Sequence, residues 1–110
     1  MTKSTVKPAN GKLGVLVVGL GAVTSTFMTG VLMARKGLAK PVGSMTQYDK
    51  IRVGKGADKK YLHYKDIVPM ADLNDIVFGA WDVYPANAYQ SAVYAEVLQP
   101  KDIEPVKDEL

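Results

Sequence analysis

The chain has 110 residues, no cysteine, 14 Lys and Arg against 11 Asp and Glu, and 47% hydrophobic residues. This composition is that of one globular domain, and it excludes a collagen, a disulfide-stapled scaffold and a charged disordered protein. It also excludes a thiol nucleophile and a thiolate metal site, and with His63 as the single histidine we expect no metal site. A cysteine-free chain suits a reducing compartment, so we expect a cytoplasmic protein.

Charge is unevenly divided along the chain. Residues 1–70 carry 12 basic and 3 acidic side chains, whereas residues 71–110 carry 2 basic and 8 acidic ones. The basic half contains no Arg and Lys run with interleaved aromatics and no zinc-finger or RNA-binding signature, so no nucleic acid partner is expected. It is interpreted as a solvated surface, or as one that meets phosphate on a small ligand.

The first predicted elements are a tail, a strand and a helix. Residues 1–10 are polar without an apolar period, which predicts an N-terminal tail. Residues 13–18, LGVLVV, are typical of a strand buried on both faces of a parallel sheet. A helix is predicted over residues 24–37, ending at Arg35, Lys36 and Gly37. Four apolar residues share one side of it: Phe27, Met28, Val31 and Leu32.

A membrane span is the alternative interpretation of residues 13–34, which are 22 residues without a charge. Four glycines and four hydroxyl residues dilute the hydrophobicity of this run, and basic residues flank both ends, which gives no orientation. The segment also lacks a cleavage site for a signal peptide. We therefore expect no membrane partner, and keep a membrane-anchored, non-enzymatic module as the less favoured alternative.

The second half begins with a long basic insertion. Residues 40–70 carry seven Lys and Arg, and only residues 51–53 and 61–64 give weak strand signals. A second buried strand is predicted over residues 75–82, DIVFGAWD. A helix follows, capped by Asn87 with Gln90 and ending before Pro100. Its predicted buried face holds Tyr89, Val93 and Val97, and residues 102–110 begin another element.

A candidate anion site lies at Gly19-Leu20-Gly21, between the first strand and the first helix. A turn there aims backbone N–H groups at an anion, the first glycine permits the turn, and the second lets a pyrophosphate approach. Thr24 stands where the usual fingerprint has its third glycine, and its hydroxyl, like that of Ser25, can bond phosphate. The alternative is that the two glycines form only a turn.

The acid that usually binds the cofactor's ribose is missing about 20 residues further on. Asp49 is the nearest acid there, but it lies in the irregular basic stretch. Asp82 is better placed, because ligands bind at the carboxyl ends of parallel strands. Its alternative role is that of a helix cap or turn residue.

Three blocks of the sequence resemble the N-terminal segment of the myo-inositol-1-phosphate synthase family, in its bacterial form. They are GLGAVTSTFMTGVLMARKG, GSMTQYDKIRVGK and YKDIVPMADLNDIVFGAWDVYPANAYQSAVYAEVL. The resemblance covers residues 11–110, and the third block is the most specific. Eukaryotic members have a turn rich in glycine and asparagine where this chain has Ala22-Val23-Thr24-Ser25.

The resemblance implies an α/β fold of the Rossmann-like NAD-binding kind, with a parallel sheet and flanking helices, present here only in part. It implies NAD as cofactor and an isomerase that converts D-glucose 6-phosphate to 1D-myo-inositol 3-phosphate, as a homotetramer. Its catalytic lysines belong to later segments, so no catalytic residue is expected here. The cofactor-binding residues it implies are Gly19, Gly21, Ala22, Val23, Thr24, Ser25 and Asp82. The alternative is the dinucleotide-binding segment of another NAD-dependent oxidoreductase.

Two strands alone leave the predicted sheet incomplete. Strands of this composition require helices on both faces, and a two-stranded sheet leaves an apolar edge exposed. We therefore expect the chain to be a part of a longer enzyme that binds NAD poorly and catalyses nothing by itself.

Overall fold

The computed structural model describes Lys7 and residues 10–110, so residues 1–6, 8 and 9 of the predicted tail lie outside the described residues. The strands are β1 (Leu13–Val18), β2 (Lys50–Val53), β3 (Lys60–His63) and β4 (Ile76–Trp81). The helices are α1 (Ala22–Arg35), α2 (Met45–Tyr48), α3 (Tyr64–Ile67), α4 (Ala88–Ala95) and α5 (Pro100–Ile103). Short 3₁₀ turns cover Gly56–Asp58, Leu73–Asp75 and Glu104–Glu109.

The two predicted apolar strands form one parallel pair. β1 and β4 run side by side from the Leu13–Ile76 pair to the Val18–Trp81 pair, which confirms both predictions and the parallel sheet. The expected burial of β1 on both faces is wrong for the described residues. Leu16 and Val18 are 74% and 75% exposed, because α1 packs against the opposite face, where the Phe27 and Phe78 rings meet edge to face at 5.5 Å.

The hydrophobic core lies mainly between helices. Met28, Val31 and Leu32 of α1 are buried, as their spacing predicts, whereas Phe27 is half-exposed. Ser25 and Thr29 of the same helix are also buried, and the Thr29 hydroxyl donates to the Ser25 carbonyl at 2.8 Å. The rest of the core comes from the second half of the chain: Ala88, Ala92, Ile103 and Val106.

Helix α4 begins as predicted but buries a different face. The Gln90 N–H donates to Asn87 Oδ1 at 2.8 Å, and the Asn87 N–H donates to Gln90 Oε1 at 3.0 Å, which is the predicted capping box. The predicted burial is wrong for Val93 and Val97, whereas Tyr89 is partly buried. Val93 is 50% and Val97 59% exposed, and the helix already ends at Ala95. Alanines at the buried positions allow α1 and α4 to approach closely, which large side chains would prevent.

Helix α1 stops where its sequence predicts. Gly37 has a φ of 70°, and its N–H donates to the Ala34 carbonyl at 3.1 Å. The Leu38 N–H donates to the Met33 carbonyl at 3.0 Å, which completes the glycine stop. Within the described residues no helix combines the length and the apolar character needed to cross a membrane. The uncharged run is divided between β1 and α1.

The basic insertion folds into an antiparallel hairpin. β2 pairs with β3 from Lys50 opposite His63 to Val53 opposite Lys60, which confirms the weak strand signals. The Gln47 side chain donates to the Ala71 carbonyl at 3.2 Å and ties the insertion to the segment before β4. The Cα radius of gyration is 17.2 Å, against about 13 Å for a compact chain of this length, so the described chain is elongated.

Arg35 joins the end of α1 to the beginning of β4. Its Nε donates to the Leu73 carbonyl at 2.6 Å, and its Nη2 donates to the Ile76 carbonyl. The guanidinium also lies 5.8 Å from the centre of the Phe78 ring. The sequence assigned Arg35 only to the end of the helix, so this connection was missed.

We expect Arg35→Ala to lower the free energy of unfolding by about 1–2 kcal/mol, because two backbone carbonyls lose a charged donor. The midpoint of urea unfolding, measured on the complete polypeptide that carries this sequence, reports the change. Lys40→Ala is the control, since Lys40 is exposed and its side chain has no hydrogen bond among the described residues. Equal stability of the two variants would contradict a structural role for Arg35.

Candidate functional site

The glycine turn joins β1 to α1 and lies against the end of β4. The Gly19 N–H donates to the Trp81 carbonyl at 2.8 Å, and Gly19 has a φ of 95°, a conformation that favours glycine. Gly21 has a φ of −95°, which any residue adopts. A Cβ atom added to Gly21 would meet no atom within 4 Å. Gly19 is therefore required by the backbone, whereas Gly21 keeps a space open.

The first turn of α1 presents unpaired N–H groups. The Ser25 N–H donates to the Gly21 carbonyl at 3.0 Å, but the N–H groups of Ala22, Val23 and Thr24 find no acceptor among the residues that the structure describes. Such N–H groups carry the partial positive charge of the helix and attract anions. This end of α1 has the donors that a phosphate group needs.

Two hydroxyls that the sequence offers as phosphate ligands bond to nearby backbone carbonyls. Thr24 Oγ1 donates to the Gly19 carbonyl at 3.0 Å, and Ser25 Oγ donates to the Ala22 carbonyl at 3.2 Å. Ser25 has no exposed surface. The Thr24 hydroxyl stabilises the glycine turn and the Ser25 hydroxyl bonds within the first turn of α1, and the direct contact of either with a phosphate stays a prediction.

Asp82 connects the end of β4 to the glycine turn. The Leu20 N–H donates to Asp82 Oδ2 at 2.8 Å, and the Tyr84 N–H donates to Asp82 Oδ1 at 3.1 Å. The hydrogen bond from Leu20, and then the one from Tyr84, lower the pKa of the exposed Asp82 carboxyl below its usual 3.8. Asp82 is thus a turn residue as well as a candidate ligand, and Asn87 takes the cap of α4 instead.

A groove of about 830 Å³ opens between the glycine turn, Asp82 and α4. Among the residues that the sequence singled out, Gly21, Ala22 and Asp82 line it. Gly19, Val23, Thr24 and Ser25 do not line it, and Asp49 lies at the end of α2 in the insertion. The other lining residues come mostly from α4 and the segment before it: Leu20, Tyr84, Ala86, Gln90, Ser91, Tyr94 and Ala95.

Sequence reasoning missed the wall that α4 contributes to the groove. Gln90 was assigned to the cap alone, and Tyr94 and Ser91 carried no pattern of their own. A signal was available only for Tyr84, which precedes α4 and stands two residues after an acid at the end of a parallel strand, where ligands bind in open α/β sheets.

Comparison with known proteins decides the family. Residues 13–110 match the family model described as myo-inositol-1-phosphate synthase. The chain belongs to this family. The match covers both β1 and the groove, and it does not favour the alternative of another NAD-dependent oxidoreductase.

Individual relatives of the synthase family agree with this assignment. The chain is 57% identical to an inositol-3-phosphate synthase of Bacteroides thetaiotaomicron over 98% of its own length and 25% of the relative's. It is 39% identical to a synthase of Oryza sativa over 79% of its length and 19% of the relative's. The crystal structure of a Caenorhabditis elegans inositol-3-phosphate synthase matches with a TM-score of 0.79 at 27% identity, covering 94% of this chain and 22% of that one. The chain therefore spans about a quarter or less of these synthases, and it has the Rossmann-like fold of their NAD-binding part.

We expect Asp82→Ala to speed hydrogen exchange at the Leu20 amide, because that N–H loses its acceptor. Asp82→Asn keeps one acceptor oxygen and should lie between the wild type and the alanine variant. Exchange measured by NMR or mass spectrometry gives the protection of this amide directly.

Protection of the Leu20 amide from hydrogen exchange should decrease at low pH. Folding lowers the pKa of Asp82. The hydrogen bond from the Leu20 N–H to the carboxylate is therefore fully present above about pH 3.8, and it is lost as the pH falls through the lower pKa that Asp82 has in the folded protein. Asp82→Asn should abolish this dependence. A Leu20 amide equally protected in the wild type and Asp82→Ala would show that the carboxylate does not hold the turn.

Proposed function

We propose that the groove binds NAD, with the pyrophosphate at the N-terminus of α1 and the adenosine ribose beside Asp82. One observation carries this proposal: the space above Gly21 is open, and three N–H groups beside it have no acceptor among the described residues. A pyrophosphate needs such a space and such donors. The membership in the synthase family supports NAD as the dinucleotide.

Asp82 suits the ribose although it already accepts two backbone hydrogen bonds. Each carboxylate oxygen has two lone pairs, and each accepts one N–H here, so acceptor capacity remains for ribose hydroxyls. The Asp82 carboxyl is ionised at neutral pH, and the backbone hydrogen bonds lower its pKa further, so it acts only as an acceptor there. The hydrogen bonds from Leu20 and Tyr84 also fix its position before a ligand arrives.

We further propose that the complete polypeptide isomerises D-glucose 6-phosphate to 1D-myo-inositol 3-phosphate, acts as a homotetramer and works in the cytoplasm. Bound NAD would accept a hydride from the sugar and return it after ring closure, so the overall reaction consumes no oxidant. The described residues supply the cofactor end of this site. The names of the Bacteroides and rice relatives support the proposal.

We expect Gly21→Val to abolish NAD binding in the complete polypeptide, because the isopropyl group enters the space proposed for the pyrophosphate. The fold should survive, since Gly21 has an ordinary φ and no atom lies within 4 Å of the added Cβ. Isothermal titration calorimetry measures the affinity, and circular dichroism checks the fold.

Gly30→Val is the matched control for this substitution. Gly30 is also exposed with open space around its Cβ position, but it lies in the middle of α1 and does not line the groove. This variant should bind NAD like the wild type. A folded Gly21→Val protein with wild-type affinity would reduce the glycine turn to a structural feature and overturn the proposed cofactor site.

The proposed reaction predicts that the complete polypeptide forms inositol phosphate from D-glucose 6-phosphate in a one-to-one ratio, with no net accumulation of NADH. Product is measured by chromatography of the phosphate esters, and NADH by its absorbance. Gly21→Val should remove the activity. Steady production of NADH with a sugar substrate would instead indicate an ordinary dehydrogenase.

A further inference from the structure

Two tyrosines line the groove without taking part in the core. Tyr84 follows β4, and Tyr94 lies near the end of α4. Tyr84 is 74% exposed and Tyr94 is 90% exposed, and neither hydroxyl has a hydrogen bond partner among the described residues. Every other residue that lines the groove is aliphatic, small or polar. The flat apolar surface of the groove therefore comes from these two rings.

The position of Tyr84 relative to Asp82 is fixed by the backbone. The Tyr84 N–H donates to Asp82 Oδ1 at 3.1 Å, so the tyrosine begins directly beside the carboxylate. The proposed function places the adenosine ribose at that carboxylate, and the adenine base is bonded to this ribose. A base that leaves the ribose on the groove side reaches the region that Tyr84 lines.

Helix α4 adds polar groups suited to the edge of a base. Gln90 and Ser91 line the same groove as Tyr94. Gln90 Oε1 accepts the Asn87 N–H of the capping box, which leaves the two N–H bonds of its Nε2 free to donate. Ser91 offers a hydroxyl that donates and accepts. Adenine carries ring nitrogens that accept and an amino group that donates, so both side chains can meet its edge.

We propose that Tyr84 and Tyr94 form the binding surface for the adenine base, with the base stacked on the ring of at least one of them. Aromatic rings stack on nucleobases because both present extended π-faces, and the contribution is about tenfold or more in affinity per base. The proposal rests on the proposed NAD function and extends it to the residues that hold the adenine base.

The test measures affinity for parts of the cofactor in the complete polypeptide. NAD and ADP-ribose contain the adenine base, whereas nicotinamide mononucleotide does not. Tyr84→Ala and Tyr94→Ala are compared with Tyr84→Phe and Tyr94→Phe by calorimetry. Tyr61→Ala is the matched control, because Tyr61 is an exposed tyrosine on β3 in the insertion hairpin and does not line the groove.

At least one alanine variant should bind NAD and ADP-ribose about tenfold more weakly, while its affinity for nicotinamide mononucleotide stays unchanged. The phenylalanine variants should retain most of the affinity, since they keep the ring, and Tyr61→Ala should behave as the wild type. All these positions are exposed, so the variants should fold.

Three results would overturn the proposal in different ways. Wild-type affinity for ADP-ribose in both alanine variants would remove the tyrosines from the base site and leave the NAD function standing. An equal loss for nicotinamide mononucleotide would show a general distortion of the groove. A wild-type polypeptide that binds no NAD would overturn the proposed function together with this inference.

Discussion

Parallel pairing of β1 with β4 is the constraint on which the rest of the site depends. The pairing places Val18 opposite Trp81, so the next residues of both strands emerge at the same edge. The Gly19 N–H continues the ladder by bonding the Trp81 carbonyl. Leu20 and Asp82, separated by 62 positions in the sequence, can then share a hydrogen bond. A shift in strand register would separate the turn from its acid.

Close packing of α1 and α4 sets the width of the groove. Helices α1 and α4 are in contact, and the buried residues of α4 are Ala88 and Ala92, whose small side chains permit a close approach. The capping box fixes where α4 begins, and Ile103 and Val106 complete the core beneath it. Because the same helix buries its alanines and turns Gln90, Ser91 and Tyr94 toward the groove, the core and the site depend on one orientation of α4.

Features that depend on neighbours in the sequence could be predicted. The extent of β1, the Asn87 cap and the Gly37 stop each follow from a few adjacent residues, and the structure confirms them. The resemblance to a known family added the fold and the candidate residues. Asp82 could be placed at a strand end from pattern alone, but its bond to Leu20 required the strand pairing.

Features that depend on distant partners could not be predicted. The spacing of Tyr89, Val93 and Val97 is that of one helical face, yet the buried residues of α4 are the alanines Ala88 and Ala92. Hydrophobic periodicity cannot show that a close contact prefers small side chains. For the same reason the hydrogen bonds of Arg35 could not be predicted, because their acceptors are carbonyls 38 and 41 residues away.

The distribution of charge shows how the groove can hold an anion. Seven Lys and Arg lie in residues 40–70, and the two hairpin strands there contain no buried residue. No lysine or arginine is among the residues that line the groove in the described part of the chain, where Asp82 even adds a negative charge. Among the described residues, the groups offered to a phosphate at this groove are therefore the backbone N–H groups at the start of α1, and their attraction acts at short range. A Cβ atom at Gly21 would displace the phosphate, and the fixed backbone N–H groups would then be too far away to bond it. A long cationic side chain could move with the phosphate, but the backbone cannot. The proposed site therefore depends on glycine at position 21.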